Sequence, residues 1–260
     1  MANKHNISAV IITLNNEDTL EATLRALSWC DEIVVVDSGS TDATKAICLK
    51  YSCQFSHHPF DGYGAQKQHA VSLAKHDWIL SIDSDEVISE ALQEEIISIL
   101  AEDHIRYSGF SIIISLVFMG KLFRFGKEAN LSHLRLYNRN SGGFNDDKLH
   151  EKIILHGEVK KLKNVVIHYS YKDLTHYYEK FNRFTSYAAI DALRKKKKVS
   201  QFKILIKFPA AFLIAYFVQL NFMNGFPGLI WSINTAFYNL VKYLKLYEKI
   251  NIKSNDTVDL

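Results

Sequence analysis

Between residues 8 and 100, short β-branched runs alternate with stretches in which apolar residues recur every three or four positions, and no other feature of the chain narrows its fold as far. Residues 8–14, 32–36 and 78–82 are largely apolar runs of strand length, and residues 54–56 read as a short strand. Helical spacing separates them: residues 17–28, with Leu20, Leu24 and Leu27 on one face, then residues 43–50, 64–74 and 89–100. Ser40 or Thr41 is the expected cap of the second helix. Strands joined through single helices by short connections pair in parallel, and a parallel sheet is covered on both faces. The expected class is therefore α/β, with ligands bound beyond the carboxyl ends of the strands.

The pattern changes after residue 105. Runs at 109–118, 131–137, 152–155 and 165–168 are strand-like with no helical stretch between them, and they read as antiparallel additions to the sheet. Leu174, Tyr178, Phe181 and Phe184 then mark a helix over residues 174–195, closed by the basic run Arg194, Lys195, Lys196, Lys197 and Lys198. The apolar stretch 208–218 has 11 residues. About 18 to 20 are needed to cross a bilayer, so a span is disfavoured. After the break Asn224-Gly-Phe-Pro-Gly228, Leu229, Ile233, Phe237, Leu240 and Leu244 form one more helical stripe. The domain division expected is one domain over 1–170, with halves 1–106 and 107–170, followed by a helical region over 171–260.

Composition excludes several classes. In 260 residues, 48% are apolar and 23% charged, which fits a packed protein rather than a disordered chain, and 11 Gly with 3 Pro leave no room for long linkers. Cys30, Cys48 and Cys53 are an odd number without CxxC spacing, so a reducing compartment is expected rather than a disulfide framework or a zinc knuckle. The first residues lack the features of a secretory signal, and the chain is expected to stay in the cytoplasm. A net charge of +3 argues against a dedicated nucleic-acid binder.

The sharpest chemical signal is Asp83-Ser84-Asp85, directly after the strand at 78–82. Carboxylates two residues apart at a strand end face one side, where they can share a divalent cation and its waters, and such a cation suits a diphosphate. Asp37 ends the strand at 32–36, so two acidic strand ends are expected side by side at one sheet edge; residues 38–42 read equally as a helix-capping loop. There is no GxxxxGK[ST], no GxGxxG after the first strand and no GxSxG. A nucleotide-diphosphate site organised by carboxylates remains.

Val10-Ile-Ile-Thr-Leu-Asn-Asn-Glu17, Val36-Asp-Ser-Gly-Ser-Thr-Asp42, Phe60-Asp-Gly-Tyr-Gly-Ala-Gln-Lys67 and Ile82-Asp-Ser-Asp-Glu86, in that order, resemble the inverting glycosyltransferases of family 2. Arg135-Leu-Tyr-Asn-Arg139, Leu149-His-Glu151, Ile167-His-Tyr-Ser-Tyr171 and Asn224-Gly-Phe-Pro-Gly228 are similar to the subgroup holding the lipopolysaccharide core β-1,4-glucosyltransferases. The resemblance implies a GT-A fold, a Rossmann-like mixed sheet with helices on both faces, here with a C-terminal helical, membrane-associating appendage. It implies that Thr13, Asn15 and Glu17 line the nucleotide pocket, that Asp37 contacts base or ribose, and that Gln66 and Lys67 approach uracil and diphosphate. It further implies that Asp83 lies near the ribose and the metal shell while Asp85 binds Mg²⁺ or Mn²⁺, so that the metal neutralises the departing nucleoside diphosphate. Gln68 stands where the subgroup carries Asn.

Inversion is an in-line displacement, and a base must take the proton of the acceptor hydroxyl. Glu151 matches the family's candidate base, with Asp146 and Asp147 as rivals in the preceding loop. Arg135 and Arg139 are candidates to clamp phosphate, Arg135 being carried to the donor site, and His168 resembles a histidine that approaches the metal or diphosphate. His57, His58 and His69 have no metal spacing. The basic run, with Lys203 and Lys207, beside an apolar helix too short to span is the pattern of a segment lying on an anionic membrane; the alternative is ordinary helix packing with a solvated lysine face. The expected activity is transfer of a hexose, glucose from UDP-glucose, to a heptose of the lipopolysaccharide inner core. The lipid-linked core oligosaccharide and the inner-leaflet surface are the expected partners, and the expected location is peripheral, on the cytoplasmic face of the inner membrane. Transfer to a polyprenyl phosphate and a catalytically inactive scaffold are the alternatives.

Overall fold

Ile7–Thr13 (β1) is the central strand of the parallel half because its side chains are apolar on both faces. Ile7, Ala9 and Ile11 pack with Leu20, Leu24 and Leu27, at and just beyond the end of Glu17–Ala26 (α1), and with Leu92 and Ile96 of Glu90–Leu100 (α4). Val10 points the other way and packs with Ala70 and Val71 of Tyr63–Leu73 (α3). The computed structural model in which this is seen describes residues 4–145, 151–197 and 199–255.

Glu32–Asp37 (β2) and Trp78–Ser81 (β4) pair in parallel with β1 on either side, and Gln54–His57 (β3) extends the sheet beyond β2. Leu131–Asn138 (β8) pairs antiparallel with β4, followed by Gly109–Phe118 (β6), Val159–His168 (β11) and Glu86–Ile88 (β5), giving the order β3-β2-β1-β4-β8-β6-β11-β5. Gly142–Phe144 (β9) and Ile153–Leu155 (β10) form a separate two-stranded ribbon. The α/β class with a mixed sheet and helices on both faces is as expected.

Several expectations need correction. β2 and β4 are not adjacent: β1 lies between them, so Asp37 and the Asp83 turn share a sheet edge but are one strand apart. The second helix, Thr44–Lys50 (α2), starts with Ala43 at the cap position instead of Ser40 or Thr41; Glu17 and Asp42 accept the Ala43 and Thr44 N–H groups. β5 was not expected, because its three residues open on a glutamate that reads as a turn.

The chain forms two compact units, one of Met1–Ser115 with Leu131–Tyr169, the other of Leu116–Asn130 with Ser170–Leu260. In the second, Leu174–Arg194 (α5), Gln201–Leu213 (α6) and Gly225–Asn255 (α7) pack on one another, and Tyr177 and Phe181 of α5 meet Trp231 of α7 around Phe118 and Phe123. α6 passes into a π-turn at Ile214–Val218, and the chain then reverses through a 3₁₀ turn at Asn221–Asn224. No single helix among the described residues is long and apolar enough to cross a membrane; the pair Ile204–Val218 and Asn221–Asn251 passes that test jointly but is bent by 69°.

The reversal explains Asn224-Gly-Phe-Pro-Gly228. A Cβ on Gly228 would stand 2.0 Å from the Asn221 carbonyl oxygen, so only glycine lets α7 pass the turn. Gly228→Ala is expected to destabilise the protein by about 1–3 kcal/mol despite alanine's better helix propensity. Urea unfolding followed by helical circular dichroism measures it.

Candidate active site

The carboxyl ends of β1, β2 and β4 carry three loops tied to one another. Thr13 is paired with Asp37 across β1 and β2, and its Oγ1 is buried with no hydrogen-bond partner. Asn15, left-handed at φ 52°, accepts the Thr41 N–H at 2.9 Å and donates its own N–H to Ser40 Oγ at 2.8 Å. Asp37 accepts the Gly39 and Ser40 N–H groups at 2.9 Å each and the Ser40 hydroxyl. Asn16 donates to Ser84 Oγ, and Thr19 and Thr23 donate to the Ser84 carbonyl at 3.1 Å each, so α1 holds the Asp83-Ser84-Asp85 turn. Gln66 is fully buried, donating to Ser38 Oγ and the His58 carbonyl while its oxygen faces His58 Nδ1 at 2.9 Å; it shapes the loops after β2 and β3.

The Asp83 carboxylate lies between two cations. Lys67 Nζ is 2.9 Å from Oδ1, and Arg135 donates to Oδ2 at 2.8 Å. Arg135 continues to Glu86 Oε1 at 2.6 Å, and Glu86 Oε2 accepts the Asp83 N–H at 3.0 Å. Burial disfavours the charged form of Asp83, but Arg135 and Lys67 outweigh it and hold the carboxyl well below the usual range. Glu86 is the converse: burial dominates and pushes its carboxyl up against the pull of Arg135. Burial also works against the Arg135 charge, and Asp83 and Glu86 more than offset it.

Asp85 faces His168, whose Nε2 is 3.3 Å from Oδ2, and the Tyr169 N–H donates to the Asp85 carbonyl at 2.9 Å. The antiparallel pairing of β5 with β11, with His168 opposite Glu86, sets this contact. Burial lowers the proton affinity of His168, but the hydrogen bond and charge of Asp85 outweigh it and the imidazole is raised. Among the described residues no group of three or more His, Cys, Asp or Glu could hold a metal by itself. Asp85 and His168 nonetheless suit Mg²⁺ or Mn²⁺ in the manner of phosphate-bridged sites, where the protein supplies one or two donors and substrate oxygens complete the shell.

Lys67, Asp83, Glu86, Arg135, Glu151 and His168 all line one cavity of about 680 Å³, with Phe144 and Ile153 on its wall. Lys67 Nζ is 3.7 Å from Glu151 Oε1 and 6.0 Å from the centre of the Phe144 ring. Asp146 and Asp147 lie outside the described residues. Arg139 is engaged elsewhere: it donates to the Ala74 carbonyl at 2.7 Å and closes the end of α3.

Comparison with known proteins decides the family. Residues 8–145 match Glycosyl transferase family 2. The chain belongs to this family. An uncharacterized glycosyltransferase of Rickettsia typhi is 31% identical, over 97% of this chain and 90% of the relative. The lipopolysaccharide core biosynthesis glycosyltransferase LpsC of Rhizobium meliloti is 30% identical, over 97% of this chain and 96% of LpsC. Among solved structures, S. aureus TarS residues 1–349 is similar with a TM-score of 0.45 and 16% identity, over 96% of this chain and 92% of that one. Glucosyl-3-phosphoglycerate synthase of Mycobacterium tuberculosis, solved with Mn²⁺, UDP and glucosyl-3-phosphoglycerate, aligns over 44% of each chain at 23% identity and TM-score 0.35. The sheet of this family 2 glycosyltransferase joins a parallel half, β3-β2-β1-β4, to an antiparallel extension.

Sequence reading gave Glu86 no role and left the contacts of Gln68 open. Glu86 is the buried counter-charge of Arg135, and the signal available was its place directly after the Asp83-Ser84-Asp85 turn. Gln68 accepts the Phe144 N–H at 3.1 Å and so joins α3 to β9. Replacing Arg135 by Met leaves Glu86 buried and unpaired, with an expected loss of about 3–5 kcal/mol in urea unfolding. The double variant Arg135→Met with Glu86→Gln is expected to recover part of it.

Proposed function

We propose that the protein moves glucose from UDP-glucose, with inversion, onto a heptose of the lipopolysaccharide inner core. The observation that carries this reading is Lys67, whose ammonium bridges Asp83 at the end of β4 and Glu151 on the cavity wall, 2.9 and 3.7 Å away. One side chain thereby joins the nucleotide end of the sheet to a carboxylate in a cavity of a size suited to a small ligand. The near full-length similarity to LpsC supports the acceptor class.

In this reading the nucleoside lies over the ends of β1 and β2, where the unpartnered Thr13 hydroxyl would gain a hydrogen bond. Lys67 and Arg135 face the diphosphate and offset its charge. Glu151 takes the acceptor hydroxyl proton as that oxygen attacks the anomeric carbon, and the bond to the diphosphate breaks with its electrons leaving on the phosphate oxygen. Asp85 and His168 would hold Mg²⁺ or Mn²⁺, which when bound supplies Lewis-acid neutralisation of the leaving group. A lipid-linked acceptor places the enzyme on the cytoplasmic face of the inner membrane as a peripheral protein.

With UDP-glucose, Mn²⁺ and core acceptor, Glu151→Gln is expected to lower kcat by about 10²–10⁴ with little change in the donor KM, read as UDP release. Full turnover in that variant would overturn the assignment and favour a phosphate acceptor, which needs no base. The core oligosaccharide of a strain lacking the protein is expected to be short by one hexose on mass analysis.

A further inference from the structure

The helical unit is inside out at its reversal. Asn221 and Asn224, the polar residues of the turn, are buried: Asn221 donates to the Ala215 carbonyl at 2.9 Å, and Asn224 donates to the Phe125 carbonyl at 2.9 Å and accepts the Arg124 N–H at 3.1 Å. The apolar residues between and around them, Leu220, Phe222, Met223 and Phe226, face outward. A water-facing turn has the opposite arrangement. Because the backbone is held by internal hydrogen bonds, the apolar tip is a fixed feature of the fold.

α6 extends the same surface. Ile204 and Ala215 are buried, while Phe202, Leu205, Leu213, Phe217 and Val218 are exposed, Phe202 at 72% and Val218 at 74%. Phe202, Ile206 and Ile214 also rim an apolar cavity of about 580 Å³. An apolar face left exposed on a helix is the kind of surface that lies in a core or in lipid. With its 69° bend the pair Ile204–Val218 and Asn221–Asn251 is not a straight crossing.

Charge names the covering surface. Between Asp191 and Glu248 the chain has no carboxylate, and every charged side chain in that stretch is Lys or Arg. Apolar residues in a stretch whose charged side chains are all cationic match an anionic leaflet, in which acyl chains lie beneath negative headgroups. A second copy of the chain would set these cations against one another.

We infer that Val218–Phe226, with the exposed side of α6, is an in-plane membrane anchor whose apolar tip enters the acyl boundary of an anionic bilayer while the lysines at 195–197 and Lys207 contact headgroups. The attachment does not depend on which sugar is transferred, so lipid binding and activity are read separately.

The test is flotation of the full-length protein with vesicles of phosphatidylcholine alone or with 30% phosphatidylglycerol, a proportion of about one anionic lipid in three. Binding is expected only to the anionic vesicles and to fall about fivefold for each lysine in Lys196→Gln and Lys197→Gln. Phe222→Ser with Met223→Ser is expected to reduce binding at least about tenfold, since each removes buried apolar area. Hydrogen exchange of the wild-type protein, which needs no variant, is expected to show protection at residues 217–226 on adding anionic vesicles. Equal binding to both vesicle types, unchanged binding in the serine variant, or a wild-type dimer that this variant converts to monomer would each overturn the anchor.

Discussion

Four charged groups join the elements around the candidate cavity: Lys67 from α3, Glu86 from β5 and Arg135 from β8, all buried, and the half-buried Asp83 from the turn after β4. Each alone would be costly to bury, and the arrangement persists because each charge faces one of opposite sign across a hydrogen bond. The ladder fixes the turn after β4 against three other elements. Asp85 and His168 are then placed by strand pairing, and Glu151 lies within reach of the same lysine. Positioning of this kind, with side chains held by their neighbours before substrate arrives, is what a displacement reaction needs from its enzyme.

The two units use polarity in opposite ways. In the sheet unit, apolar residues fill both faces and polar side chains gather at the strand ends. At the reversal of the helical unit, asparagines are turned inward and aromatic and aliphatic residues outward. Ordinary hydration explains the first pattern; the second is the one the proposed membrane anchor accounts for.

Much of the sheet was legible because buried parallel strands must be continuous β-branched runs, and the four runs between residues 8 and 82 stand out from the helices between them. The acidic turn was legible for the same reason, since it follows one of those runs. β5 was not: three residues beginning with glutamate look like a turn, and only its pairing with β11 and the Arg135 counter-charge make it a strand. Arg135 and Arg139 are alike in sequence, yet one reaches the cavity and the other closes α3.

The sequence by itself determined the α/β class, the parallel half of the sheet and the family, and it named the candidate site residues, because these depend on local periodicity and on motifs contiguous in the chain. Tertiary structure decided which charges meet. The Lys67–Asp83–Arg135–Glu86 ladder joins residues up to 68 positions apart, and the Asp85–His168 contact spans more. Strand order and register bring such residues within hydrogen-bond distance, and both are set by how the whole sheet buries its apolar faces, which no local pattern encodes.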